Sequence, residues 1–178
     1  MNIRPTTPAD TDAVFRLYQR VAAVPGGLAR LEAEVTEDYV SGFIISTLER
    51  GTGFVAVDTN GEVRGEIHAY SPGLFCFSHV LSDLTIAVDP DIQGQGLGRQ
   101  LFEAFMTDVR DELPEILRIE LIARESNARA IAFYETLGFV REGEFRGRIR
   151  NVDGSIESDV PMGWQRESQE YDAFRVLP

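Results

Sequence analysis

The chain has 178 residues, 43% of them apolar and 26% charged, which suits one domain with a full hydrophobic core. Its formal net charge is −12 and its 17 basic residues are all arginine; that balance argues against nucleic acid as a partner, since phosphate backbones need clustered cations, and the lack of lysine excludes a lysine Schiff base. No apolar run approaches the ~20 residues that span a bilayer, Met1-Asn2-Ile3-Arg4-Pro5 lacks the apolar core of a secretion signal, and the single cysteine fits a reducing cytoplasm.

Ile3-Arg4-Pro5 reads as a short first strand. Thr7-Pro8-Ala9-Asp10 opens a helix with Val14, Leu17, Tyr18 and Val21 on one face, and Pro25-Gly26-Gly27 breaks it. Residues 28–50 carry a second helical region, with Tyr39, Val40, Phe43, Ile44 and Leu48 at helical spacing and an end near Gly51. Phe54 to Val57 and Val63 to His68 form the arms of a hairpin about Asn60-Gly61. Residues 71–79 make a loop of Ser, Pro, Gly and aromatic residues. Cys76, inside the apolar run Leu74 to Phe77, is expected to be a buried, inert thiol.

Leu84 to Val88, rich in β-branched residues, reads as a buried strand that Asp89-Pro90 ends. A glycine loop with Gly94, Gly96 and Gly98 follows, and Leu97, Leu101, Phe105 and Val109 then recur at helical spacing. Leu113-Pro114 marks a break, and Ile116 to Ile122 is another strand. Ser126-Asn127 sits where a helix cap belongs, Ala130, Ile131, Tyr134 and Leu137 give that helix one stripe, and Gly138 ends it. Phe139-Val140 begins a strand, and Ile149 to Trp164 reads as a hairpin about Asp153-Gly154. The order β-α-α-β-β-β-α-β-α-β-β describes one mixed α/β domain over residues 1–165, with a C-terminal tail at 166–178.

A glycine loop that opens a helix offers unpaired N–H groups and the positive end of the helix dipole, which suits a phosphate or pyrophosphate. Residue types separate the candidate ligands. A nucleoside-triphosphate loop needs Lys then Ser or Thr after its last glycine, where this chain has Arg99 and Gln100. A dinucleotide fingerprint counted from Gly94 needs its third glycine at position 99, which is Arg. What stands after the strand is Q-x-x-G-x-G, Gln93 to Gly98. A second motif, N-x-x-A-x-x-F-Y-x-x-x-G-F, runs from Asn127 to Phe139, one helix and one strand downstream.

The two motifs together resemble the GNAT superfamily of acetyl-CoA-dependent N-acetyltransferases, over roughly residues 1–165 and best from 83 to 164. The resemblance implies an α/β fold with a mixed sheet whose central strands, the motif strand and the strand at 116–122, splay apart. It also implies acetyl-CoA as acyl donor. Backbone groups at Ile86 and Val88 would pair with the pantetheine arm. The amides of Gln93, Gly94, Gln95, Gly96, Leu97, Gly98 and Arg99 would hold the pyrophosphate, and Asn127 would bond the pantetheine or adenosine side, a role that can coexist with a plain helix cap. Tyr134 matches the family's proton donor to the leaving thiolate, and Asp83 falls where many relatives carry a carboxylate at the start of the motif strand.

Amide formation needs a proton acceptor, because an amine of pKa about 8 to 10 is mostly protonated at neutral pH. Asp83 ranks first for that role, with Glu66 and His79 as competitors, while His68 reads as a packing or rim residue. Two histidines and one cysteine without ligand spacing give no case for a metal. The expected acceptor is the primary amine of a small molecule, an amino acid among the candidates. A protein N-terminal or side-chain acetyltransferase and a non-catalytic acyl-CoA-binding sensor are the alternatives, with no nucleic acid or membrane partner and a homodimer left open.

Overall fold

The computed structural model describes residues 1–166; the expected tail otherwise lies outside the described residues. Strand β1 (Asn2–Pro5) leads into helix α1 (Thr11–Ala22), with Arg4 forked onto the buried Asp10 carboxylate at 2.8 and 2.6 Å. Helix α2 (Glu37–Arg50) follows, capped where the Thr36 hydroxyl accepts from the Tyr39 N–H. Strands β2 (Gly51–Val57), β3 (Val63–Tyr70) and β4 (Val80–Val88) precede helix α3 (Leu97–Glu112) and strand β5 (Arg118–Arg124). Helix α4 (Ala128–Thr136) is followed by β6 (Val140–Arg141), β7 (Phe145–Arg150) and β8 (Ile156–Gln165). Three strands, not two, thus follow the last helix.

The sheet runs β1-β2-β3-β4-β5-β8-β6, with β7 also on β8. Every pairing is antiparallel except β4 with β5, which is parallel and joins the two halves. Helices α1 and α2 cover one face, where Val14, Leu17, Val40 and Ile44 meet Val55, Val63 and Ala87. Helices α3 and α4 cover the other, where Leu101, Phe102, Phe105 and Ile131 pack with Phe54, Ile67 and Ile119. A central strand covered on both faces buries both of its alternating sets, so β3 carries Ile67 toward α3 and the neighbouring Glu66 toward α1.

Several expectations are corrected. Residues 28–36 hold only a short 3-10 turn at Glu32–Glu34 before α2 begins, and Leu48 is exposed on its outer side. Cys76 is exposed, not buried: Leu74 to Phe77 projects as a loop with one 3-10 turn, and Phe75 is 95% accessible. That apolar run has neither strand nor helix periodicity, so no face of it can be buried as a unit. Strand β4 begins four residues earlier than expected, at Val80, and β5 is shifted two residues on. The last described residue, Arg166, is itself buried, and its guanidinium donates to the carbonyls of Val109 in the last turn of α3 and of Leu113 and Ile116 beyond it.

Candidate active site

Strands β4 and β5 pair at only two register positions, Val80 with Arg118 and Leu81 with Ile119. Beyond them the strands diverge, so the β4 edge from Ser82 to Val88 is unpaired on the β5 side while its other edge stays bonded to β3. Ile86 and Val88 lie on this open edge. A bulge sits at the point of divergence, where the β3–β4 register shifts between His68 and Tyr70 and Asp83 takes φ +54°. Asp83 is the one non-glycine residue with positive φ among the described residues, a conformation that costs free energy and re-aims the side chain.

At the far end of β4, Asp89 turns the chain into the glycine loop. Gly94 and Gly96 adopt φ +81° and +87°, a left-handed region that favours glycine, and Gly96 is the N-cap of α3. A Cβ at Gly96 would meet nothing within 4 Å, and one at Gly98 would make only ordinary van der Waals contact with Val88 and Ile86. The Gln93 side chain donates to the Val88 carbonyl at 3.1 Å and ties the loop to the strand. The six backbone N–H groups from Gly94 to Arg99 have no acceptor among the described residues. Six free donors stand at the positive end of a 16-residue helix, an arrangement whose chemistry suits an anion. Arg129 on α4 lies beside the loop, its Nη2 3.7 Å from the Cβ position of Gly94, and Arg99 rests over the Phe133 ring at 5.4 Å. The Asn127 carbonyl oxygen accepts from the Ala130 N–H at 3.1 Å, so the cap role is present.

Tyr134 is half-buried on α4, its ring against Phe102, Phe133 and Phe139 with centroids 5.7 to 6.1 Å away. Its hydroxyl makes no hydrogen bond among the described residues, and burial pushes its pKa up to about 12. On the other side of the splay lies a cavity of about 520 Å³. Asp83, Glu120, Arg30, Arg148, Tyr39 and His68 are among its walls. The bulge carrying Asp83 thus turns that carboxylate to the cavity. His79 is not among its walls: it precedes β4 at the closed end, where its carbonyl accepts from the N–H groups of Leu117 and Arg118. Glu66 is fully buried beneath, where it accepts from the Tyr18 hydroxyl at 2.6 Å.

The Acetyltransferase (GNAT) family model matches residues 13–139 of this chain. The chain belongs to the GNAT acetyltransferase family. It is 45% identical over 90 residues to the [ribosomal protein bS18]-alanine N-acetyltransferase of Escherichia coli (strain K12), a stretch covering 48% of this chain and 60% of that protein. It is 36% identical over 93 residues to the mycothiol acetyltransferase of Amycolatopsis mediterranei, covering 50% of this chain and 30% of the relative. The chain therefore spans less than two thirds of the length of these curated relatives. In fold it matches a phosphinothricin acetyltransferase from Sinorhizobium meliloti, solved in complex with AcCoA, at TM-score 0.80 and 18% identity, covering 94% of this chain and 89% of that one.

This GNAT chain carries site features that the sequence did not disclose. Arg129 follows the Asn127 motif position by two residues and reads as an ordinary helical arginine until α4 is folded against the loop. Arg30 sits before α2 in a stretch expected to be helical, yet its guanidinium lies 3.8 Å from the Tyr39 ring centroid and faces the cavity. Arg148 is re-aimed by a β7 bulge at Gly147, φ +61°, and reaches Asp159 at 3.4 Å. No helix among the described residues is long and apolar enough to cross a membrane, and no group of His, Cys, Asp and Glu there could hold a metal.

Proposed function

We propose that the chain transfers the acetyl group of acetyl-CoA to the primary amine of a small molecule that also carries a carboxylate, an amino acid being the simplest such acceptor. The observation that carries this reading is the mixed charge of the cavity beside the splay, with the Asp83 and Glu120 carboxylates and the Arg30 and Arg148 guanidinium groups in one wall set. Arg30 has no carboxylate within ion-pair distance among the described residues, in a chain of net charge −12. A cation left without an acid partner amid an excess of acids suits an anionic ligand group, and guanidinium is the fork that fits a carboxylate.

On this reading the free amides of Gly94 to Arg99 hold the donor's pyrophosphate, flanked by Arg129. The open edge at Ile86 and Val88 takes the pantetheine arm as an added strand, and Asn127 adds a side-chain bond while keeping its cap. Asp83 meets the incoming ammonium at the cavity mouth. Tyr134 faces the leaving sulfur. With a pKa of about 12, its phenol stays protonated through the working range. Full transfer to a thiolate of pKa about 8.5 would run uphill by roughly 5 kcal/mol at 1.36 per unit. Tyr134 therefore stabilises the departing thiolate mainly as a hydrogen-bond donor, with the sulfur's own proton coming from the new amide nitrogen.

The test compares a free amino acid with its carboxamide as acceptors in a thiol-release assay. Loss of one charge-assisted hydrogen bond, about 1.5–3 kcal/mol, lowers kcat/KM roughly 10- to 100-fold for the amide. Arg30→Gln should erase most of that difference. Equal rates for acid and amide in the wild-type protein would remove the carboxylate from the proposal. A protein N-terminus is the second reading, favoured by the 45% identical ribosomal-protein acetyltransferase; a peptide beginning with alanine that outruns every free amino acid would select it.

A further inference from the structure

We infer that His68, oriented by the buried carboxylate of Glu66 and the hydroxyl of Tyr18, takes the proton from the acceptor's ammonium at its Nε2 atom. The inference rests on the acetyltransfer reading and assigns the base within it.

Glu66 is 0% and His68 2% exposed, both on the β3 face that α1 and α2 cover. A buried carboxylate is costly unless its oxygens are satisfied, and here two donors converge on it. The Tyr18 hydroxyl donates to Oε2 at 2.6 Å, and His68 Nδ1 lies 3.1 Å from both carboxylate oxygens. A carboxylate only accepts, so Nδ1 carries the proton and the lone pair of the neutral ring is at Nε2. Phe43 stacks on the imidazole at 4.1 Å and 11°, which fixes its plane. Nε2 has no partner among the described residues and is not among the sealed, unsatisfied atoms, while His68 is a wall of the cavity; the free lone pair therefore opens on the acceptor side. A carboxylate that orients an imidazole whose second nitrogen faces a substrate cavity is a general-base arrangement.

Asp83 reaches the same cavity, but no side chain among the described residues orients its carboxylate, whereas Glu66 and Phe43 hold the His68 ring in place. Asp83 instead supplies negative charge that favours both the ammonium and the imidazolium. In the step, one ammonium proton passes to Nε2, directly or through water. The freed amine nitrogen attacks the thioester carbonyl, the C–N bond forms and the C–S bond breaks, with the electron pair leaving on sulfur. The second nitrogen proton neutralises the thiolate, and the imidazolium returns its proton to water. The balance is ammonium plus acetyl-CoA giving amide, CoA thiol and one proton.

Several groups set the pH at which His68 titrates. Glu66 on β3, Asp83 on β4, Glu120 on β5 and Asp159 on β8 favour its protonation; Arg30, Arg124 and Arg148 oppose it. The phenols of Tyr18, Tyr39 and Tyr70 face the ring or the cavity, and β2 presents Gly53 opposite.

With two histidines in the chain, imidazole NMR resolves His68 directly once His79→Gln assigns the other signal. Thiol release by the wild-type protein is measured first: its absence with every amine removes the acetyltransfer reading itself. Given release, the acid limb of kcat/KM should fall at the pH where the His68 ring titrates. His68→Gln should lower kcat about 100- to 1,000-fold, within the usual worth of a general base, and lose that limb, with acetyl-CoA affinity by calorimetry within about twofold. Glu66→Gln, as a positioning change, should move both the limb and the NMR titration to lower pH, because it removes the negative charge beside the imidazolium. A wild-type limb that does not coincide with the His68 titration overturns the inference even if His68→Gln fails to fold. So does a folded His68→Gln protein that keeps its rate and limb, or a limb lost only in Asp83→Asn; none of these touches the acetyltransfer reading.

Discussion

At the scale of single residues, the proposed chemistry turns on a few side chains whose surroundings differ from what their types suggest. The Tyr134 hydroxyl lacks a hydrogen bond among the described residues, so Tyr134→Phe removes no native partner and keeps the ring packed on Phe102 and Phe139. We expect unchanged or slightly raised Tm, retained acetyl-CoA binding and a kcat lower by roughly 10- to 1,000-fold, around the usual range for one proton-handling group. An unchanged kcat in the folded protein would remove the role. With its pKa at about 12, this phenol should also produce no alkaline limb in kcat below about pH 11. Gly96 at φ +87° has open space where a Cβ would stand. Gly96→Ala adds about 1–2 kcal/mol of backbone strain and intrudes on the proposed pyrophosphate site. Calorimetry should then show acetyl-CoA binding at least tenfold weaker; unchanged affinity would take the pyrophosphate away from this loop.

Among the elements, the glycine loop and the helix it opens were legible and the cavity beside the splay was not. The Gln93–Gly98 and Asn127–Phe139 motifs specify local backbone, a left-handed cap and a capped short helix, and both stand where expected. Strand β4 was read four residues too short because its bulge places Ser82 and Asp83 together and interrupts the alternation of apolar residues. His68 alternates with apolar neighbours and reads as a packing or rim residue, and Glu66 as a competitor for the base, with nothing in the sequence joining the two. Only the packing of α1 and α2 across β3 makes their shared face interior, and a hairpin sequence does not encode which helix will cover it. Leu74 to Phe77 failed in the opposite sense, since apolar composition without periodicity does not bury a segment. Asn127 separates two roles within one element. Asn127→Ser keeps a good N-cap but loses the amide donor, so the melt should hold while acetyl-CoA affinity falls; unaltered affinity would leave Asn127 as a cap alone.

For the whole molecule, the net charge of −12 is unevenly distributed: the glycine loop presents free backbone amides with Arg129 beside it, and the cavity beside the splay gathers Arg30, Arg124 and Arg148. Ion pairs elsewhere serve stability. Arg4 holds the Asp10 carboxyl below its usual range, and Arg118, hydrogen-bonded to Glu142, does the same there. Because these folded-state values are depressed, the stabilisation is fully present above the unfolded carboxylate values of about 4 and is lost as pH falls through the lower folded ones. Denaturant melts should therefore show an acid-side loss of stability that Asp10→Asn makes smaller. A loss of equal size in that variant would place the dependence on other carboxylates. The central claim is amide formation at the splayed strands, and the direct measurement is release of CoA thiol from acetyl-CoA with and without an amino-acid acceptor. The expected result is release that requires the amine, saturates in it and yields one acetylated product per thiol. Tight acetyl-CoA binding with no amine-dependent release, across amino acids, other small amines and peptides, would contradict it and leave a domain that binds the acyl donor without turning it over.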